Sequence, residues 1–121
     1  MIELTIPVPS PSLNRTHGSH WSHYRKVQKA WREEVWAAAI NAKCGKPQYP
    51  RSSLTIERYG KRLLDPDNFT GGLKPICDAL KLAGLILDDS PKHITLTATQ
   101  HVGSPPYRTI IRIEALNDTG D

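Results

Sequence analysis

Leu64-Asp65-Pro66-Asp67-Asn68-Phe69-Thr70-Gly71-Gly72-Leu73-Lys74-Pro75 opens the most informative stretch of the chain, which continues through Asp78-Ala79-Leu80 to Gly84-Leu85-Ile86-Leu87-Asp88-Asp89-Ser90-Pro91. Two carboxylate pairs bracket one short apolar helix. On extended backbone Asp65 and Asp67 point to the same side, roughly 7 Å apart. Pro75 belongs in a first helical turn, so the helix is expected to begin near Leu73 to Pro75, with Gly71-Gly72 as loop. Gly84 is the expected stop. Leu85-Ile86-Leu87 must then carry the chain back if the two acidic turns are to meet. Carboxylates clustered this way raise each other's pKa unless a cation sits among them. Their hard oxygens suit Mg²⁺ or Mn²⁺ held together with substrate phosphate. Either acidic turn alone reads as a turn or cap, which these residue types favour anyway. It is the pair, flanking a helix with Lys74 at its start, that makes a candidate site.

Working outward, the remaining periodicities predict an α+β fold, with a mixed sheet and two helices packed on it, in the order β-α-β-α-β-β. Ile2, Leu4 and Ile6 alternate with polar residues as a first strand. Pro7, Pro9 and Pro11 end it in stiff extended backbone. Ser22 is a candidate N-cap for a helix over about Tyr24 to Ala42, with Val27, Trp31, Val35 and Ala38 on its apolar stripe and Gly45 as its stop. Trp31 reads as core, whereas Trp36 falls off the stripe and is a candidate subunit contact. Leu54, Ile56 and Arg58 alternate with Thr55, Glu57 and Tyr59 as a second strand. Ile94, Leu96 and Ala98 mark a third, and Ile111, Ile113 and Ala115 a fourth, with the last two strands forming a hairpin. Asn117 to Asp121 should fray.

The 121 residues suffice for one domain, residues 1–121, with a modest core. No apolar run approaches a membrane span and no signal peptide is evident, so a reduced cytoplasmic setting is expected, with Cys44 and Cys77 as structural thiols. Charge is unevenly spread. Residues 1–62 carry 11 Lys and Arg against 4 Asp and Glu, and residues 63–121 carry 5 against 8. A basic half preceding an acidic one suits a phosphate-rich polymer held by the first and attacked on the second, although a net charge of +4 is ordinary for a small protein. Arg15, Arg25, Lys61 and Arg62 are the candidate DNA contacts; for Lys61 and Arg62 a solvated loop is the competing account. His17, His20 and His23 recur every third residue but lack the partners of a metal site, and read as polar loop groups.

The order Asp65-x-Asp67-Asn68, Lys74, Asp78-Ala79-Leu80, Asp88-Asp89 resembles the RusA family of Holliday junction resolvases. Pro11-Ser12-Leu13-Asn14 matches that family's Pro-Ser-x-Asn turn after the first strand, so the likeness covers nearly the whole chain. It implies a Mg²⁺-dependent endodeoxyribonuclease, with Mn²⁺ as a substitute, that resolves four-way junctions by paired nicking in recombination and repair, in a cell or a phage, as a homodimer. Carried onto this chain, Asp65, Asp67 and Asp89 are the metal-binding and catalytic carboxylates, with Asp88 a further metal candidate. Lys74 is the active-site lysine. Asp78 is placed to support Lys74 as an i,i+4 ion pair, and Asn68 to order the Asp67 turn. One departure stands out: about three extra residues separate Asn68 from Lys74, around Gly71-Gly72. Two other readings remain open: a nuclease for other branched DNA, and a DNA-binding or assembly protein that keeps the fold without catalysis.

Overall fold

A computed structural model describes residues 1–13 and 21–116. Its elements are β1 (Ile2–Ile6), α1 (Trp21–Ala42), β2 (Ser52–Gly60), α2 (Pro66–Leu82), β3 (Ile94–Val102) and β4 (Arg108–Ala115). Arg15, His17, His20 and the tail after Leu116 lie outside the described residues. The element order and the mixed four-stranded sheet with two helices are those expected. No helix among the described residues is long and apolar enough to cross a membrane.

The sheet order is β1-β4-β2-β3, so the expected hairpin of the last two strands does not form. Instead β3 pairs with β2 in parallel, Ser52 opposite Ile94 through Gly60 opposite Val102, with α2 as the crossover. β4 then returns between β1 and β2, antiparallel to both. Burial explains the choice. Ile111 and Ile113 of β4 are fully buried and need a strand on each side, whereas Thr95, Leu96, Thr97 and Thr99 of β3 are exposed and suit an edge.

One face of the sheet carries the core. Ile2, Leu4, Ile6, Leu54, Ile56, Ile111 and Ile113 meet Trp31 and Val35 of α1 and Phe69, Leu73, Ile76 and Leu80 of α2. Ser22 lies inside α1, which starts at Trp21, earlier than expected. The other sheet face is polar. There Arg112 reaches across three strands, its Nε donating to Glu3 at 2.8 Å and its Nη1 to Glu57, while His101 meets Glu57 at 3.1 Å.

The largest correction concerns α2. It begins at Pro66, so Gly71 and Gly72 are helical and buried, and Pro75 sits inside the helix. Glycine and proline each disfavour a helix interior. Here tertiary contact overrides both. The carbonyl oxygens of Leu13 and Pro11 lie where side chains at 71 and 72 would start: a Cβ there would be 2.0 Å and 1.9 Å from them. Leu13 N–H also donates to the Asn68 carbonyl at 3.1 Å. The Pro-rich strap after β1 therefore lies directly on the helix backbone. The stretch around Gly71-Gly72 is thus helix, not the expected loop. At the other end Leu85 N–H bonds the Leu80 carbonyl and Gly84 N–H the Lys81 carbonyl, with Gly84 at φ +79°. This is a Schellman stop, closed by the buried Leu80 and Leu85.

Two outcomes follow. Gly71→Ala and Gly72→Ala should each lower stability by about 2 kcal/mol in urea unfolding, because overpacking against backbone outweighs the better helix propensity of alanine. The Arg112 guanidinium holds the Glu57 carboxyl below its usual range, with His101 assisting and burial opposing. That contribution is present above the ordinary carboxylate pKa and is lost as pH falls through the lowered one. Unfolding at pH 7 and at acid pH should therefore show a smaller acid loss for Glu57→Gln than for the parent chain.

Candidate functional site

Residues 67, 74, 78 and 81 are spaced by seven, four and three, so they share one face of α2. Asp65 is the N-cap residue, with φ −56° and ψ 147° and no side-chain cap bond; Pro66 follows in the first turn, as does Asp67. The two carboxylates are therefore not on a common extended strand, as the spacing predicted, but at the start of a helix, where the macrodipole favours negative charge. Asp67 lies about 10 Å up the helix axis from Lys74.

Lys74 is where the two halves of the acidic stretch meet. Its Nζ is 3.0 Å from Asp78 Oδ1, the expected i,i+4 pair, and 3.1 Å from Asp89 Oδ2, across 15 residues of chain. Asp78 Oδ2 accepts a hydrogen bond at 3.4 Å from Gln28 Nε2 of α1, a residue with no signal in the sequence. Asp88 pairs instead with Lys81, 3.4 Å away, so neighbouring carboxylates are stapled by separate lysines to points about two turns apart on α2. The backbone amide of Asp89, with Lys81 assisting, holds the Asp88 carboxyl below its ordinary range. Leu85 and Ile86, both buried, carry the chain back as required, and Ile86 bridges to Tyr49.

Asp78 first and Asp89 second raise the Lys74 pKa above the ordinary lysine value, against a smaller opposing effect of burial. The two carboxylates thus hold Lys74 in its charged form. With 41% of its side chain exposed, the pairs add little stability but leave the ammonium reachable by an incoming anion.

The lysine stands at a cleft of about 340 Å³ between α2 and the edge strand β3. Thr70, Lys74 and Asp89 supply its polar groups, and Leu73, Cys77, Pro91, Ile94 and Leu96 its apolar ones. Leu96 points to the core side of β3 yet stays exposed because the cleft lies over it. Cys77 had been read as a purely structural thiol, but it lines this cleft; burial raises its pKa to about 11, and the nearby Asp89 and Asp78 reinforce the shift. Both cysteines are free.

Other candidates lie apart. Lys61 and Arg62 are exposed on the turn between β2 and Asp65, and Arg25 and His23 are exposed on α1. Arg15 falls outside the described residues. The Asn68 Oδ1 is buried without a partner among the described residues, and the Asn68 backbone carbonyl accepts from the strap. Asp65, Asp67 and Asp89 offer the hard oxygens that Mg²⁺ or Mn²⁺ takes. Among the described residues, however, no three His, Cys, Asp or Glu side chains come close enough together to hold one metal ion.

No protein-family model matches the chain, and neither does any curated protein.

At pH 8 iodoacetamide should modify the half-buried Cys44 well before Cys77, whose thiol stays protonated in its buried position. Peptide mapping of the alkylated protein checks the order, and equal rates would show that the cleft is open to its floor.

Proposed function

We propose that this chain is a metal-dependent endonuclease for branched DNA, of the RusA type, cutting four-way junctions in recombination and repair. The observation that carries this reading is the meeting of Lys74 and Asp89 at 3.1 Å, on the helix face that also bears Asp67. A charged lysine, a cleft and carboxylates on one helix face make a plausible phosphodiester site. The basic turn Lys61-Arg62 leads directly into it, and the excess of Lys and Arg in residues 1–62 supplies long-range attraction for DNA.

In this reading Lys74 meets a non-bridging phosphate oxygen as charge builds on it, and Asp78 keeps the ammonium aimed while it turns from Asp89 toward substrate. Gln28 fixes the second oxygen of Asp78, which ties the lysine to α1. Asp65, Asp67 and Asp89, with Asp88 in reserve, are the residues that the RusA resemblance assigns to Mg²⁺ or Mn²⁺; they do not come within reach of one ion in this structure, so holding it would require the Asp89 loop to move toward the start of α2. When bound, such an ion supplies an activated water and a clamp on the phosphate. The exposed Trp36, Ile40 and Leu82 on one side of the helices fit the homodimer that paired nicking needs, since large apolar side chains left in water mark contact surfaces. Two free cysteines suit the cytoplasm.

That no three His, Cys, Asp or Glu side chains among the described residues stand close enough to hold one metal ion favours, as a second reading, a DNA-binding or assembly protein without catalysis. A labelled four-way junction, a flap and a linear duplex, each with Mg²⁺ and with chelator, separate the readings. The expected result is paired nicks in the junction alone and only with metal. Asp67→Asn and Asp89→Asn should each lower the rate by at least about 10²-fold, the scale for losing a group that acts on transition-state charge, while junction binding survives. Cleavage of flaps in preference would move the substrate to other branched DNA. Tight binding without cleavage in either metal would establish the second reading.

A further inference from the structure

Arg58 is the only buried charged side chain among the described residues, with 9% of its surface in solvent. It stands on the core-facing side of β2, where Ser52, Leu54, Ile56 and Gly60 are its fellow inward residues. Its Nε donates to the Ser10 carbonyl at 2.9 Å and its Nη1 to the Arg62 carbonyl at 3.0 Å. Both acceptors are neutral. No carboxylate among the described residues pairs with it, and burial lowers its pKa with no opposing contribution from an acid. Buried charges are normally paired, because leaving water is costly for an ion that gains no counter-charge.

Two details make the guanidinium a site for an anion. A guanidinium carries five N–H donors, and among the described residues only two bonds, both to carbonyls, use them. The guanidinium also lies across Gly60, where a Cβ would come within 2.2 Å of Nη1 and 3.3 Å of Nη2, so the backbone there is kept bare for it. The exposed cations Lys61 and Arg62 follow immediately and lead to Asp65.

We propose that Arg58 forms a binding site for a phosphodiester oxyanion of the DNA backbone, at the end of the sheet from which the chain enters α2. The DNA part of this inference rests on the function proposed above; the anion site itself does not. A neutral donor would serve the two carbonyls as well. The positive charge is useful when a phosphate arrives, because a charge-assisted bond in a partly desolvated position is stronger than one in water. Lys61 and Arg62 draw the backbone in from solvent, and Arg58 fixes its register.

The test uses the full chain and inorganic phosphate as probe, titrated at constant ionic strength. Thermal unfolding is the first readout and ³¹P line broadening the second. Phosphate should raise the melting temperature of the parent protein saturably. Arg58→Met, which keeps the apolar stem, should bind it about tenfold or more weakly, as expected for losing a charged hydrogen-bonding partner. Arg58→Gln keeps a neutral donor for the carbonyls without the charge and should also weaken the response, so it carries the test if Arg58→Met does not fold. On a four-way junction, Arg58→Met should reduce the slope of log affinity against log salt by about 0.9, the value for one phosphate contact. An equal phosphate response in the parent protein and both variants, or none in any, overturns the proposal and leaves Arg58 a clamp between strap and turn. A phosphate response that depends on Arg58, in a protein that ignores junction DNA, upholds the anion site and removes the nuclease reading.

Discussion

The carbonyl oxygens of Pro11 and Leu13 occupy the space where side chains of residues 71 and 72 would begin, and the geometry of the candidate site descends from that contact. Only glycine lets a strap of backbone lie this close to a helix. The contact carries α2 through a region whose composition would otherwise end it. It also anchors the Pro-rich segment after β1 to the first turns of the helix, through the bond from Leu13 to Asn68. Because the helix is continuous from Pro66, Asp67 is in phase with Lys74, Asp78 and Lys81. A loop at Gly71-Gly72 would have left that phase undefined.

The ion pairs built on this face serve placement more than stability. Lys74 and Lys81 are each partly exposed, and pairs in such positions contribute little to folding. What they do is fix the loop bearing Asp88 and Asp89 against the helix at two points about two turns apart. A lysine shared by two carboxylates is held in its charged form. Arg58 follows the opposite logic: it is buried and held, among the described residues, by neutral carbonyls.

Much of this was legible in the residues. The strand alternations, the amphipathic stripe through Trp31 and Val35, and the acidic brackets around α2 all rest on local periodicity, which burial imposes directly on a chain. The return of Leu85 and Ile86 to the core and the pairing of Lys74 with Asp78 were readable for the same reason. The hairpin was misread because adjacent strands in sequence pair by default, and nothing local signals that β4 will insert between β1 and β2. The start of α2 was misread because Gly71, Gly72 and Pro75 carry strong local penalties. Arg58 fell on the apolar side of the second-strand alternation, but its carbonyl partners, like the roles of Gln28 and Ser10, gave no signal, since they depend on contacts across the chain.

The sequence by itself determined the element order, the face each strand buries and the presence of acidic groups at both ends of one helix, because those follow from side-chain chemistry at a fixed backbone period. The tertiary structure alone decided the strand order, the continuity of α2 and which carboxylate Lys74 meets. It alone placed the Arg58 guanidinium against the carbonyls of Ser10 and Arg62. Each of these depends on backbone and side chains meeting across long loops, where packing against a distant segment outweighs the local preference of the residues involved.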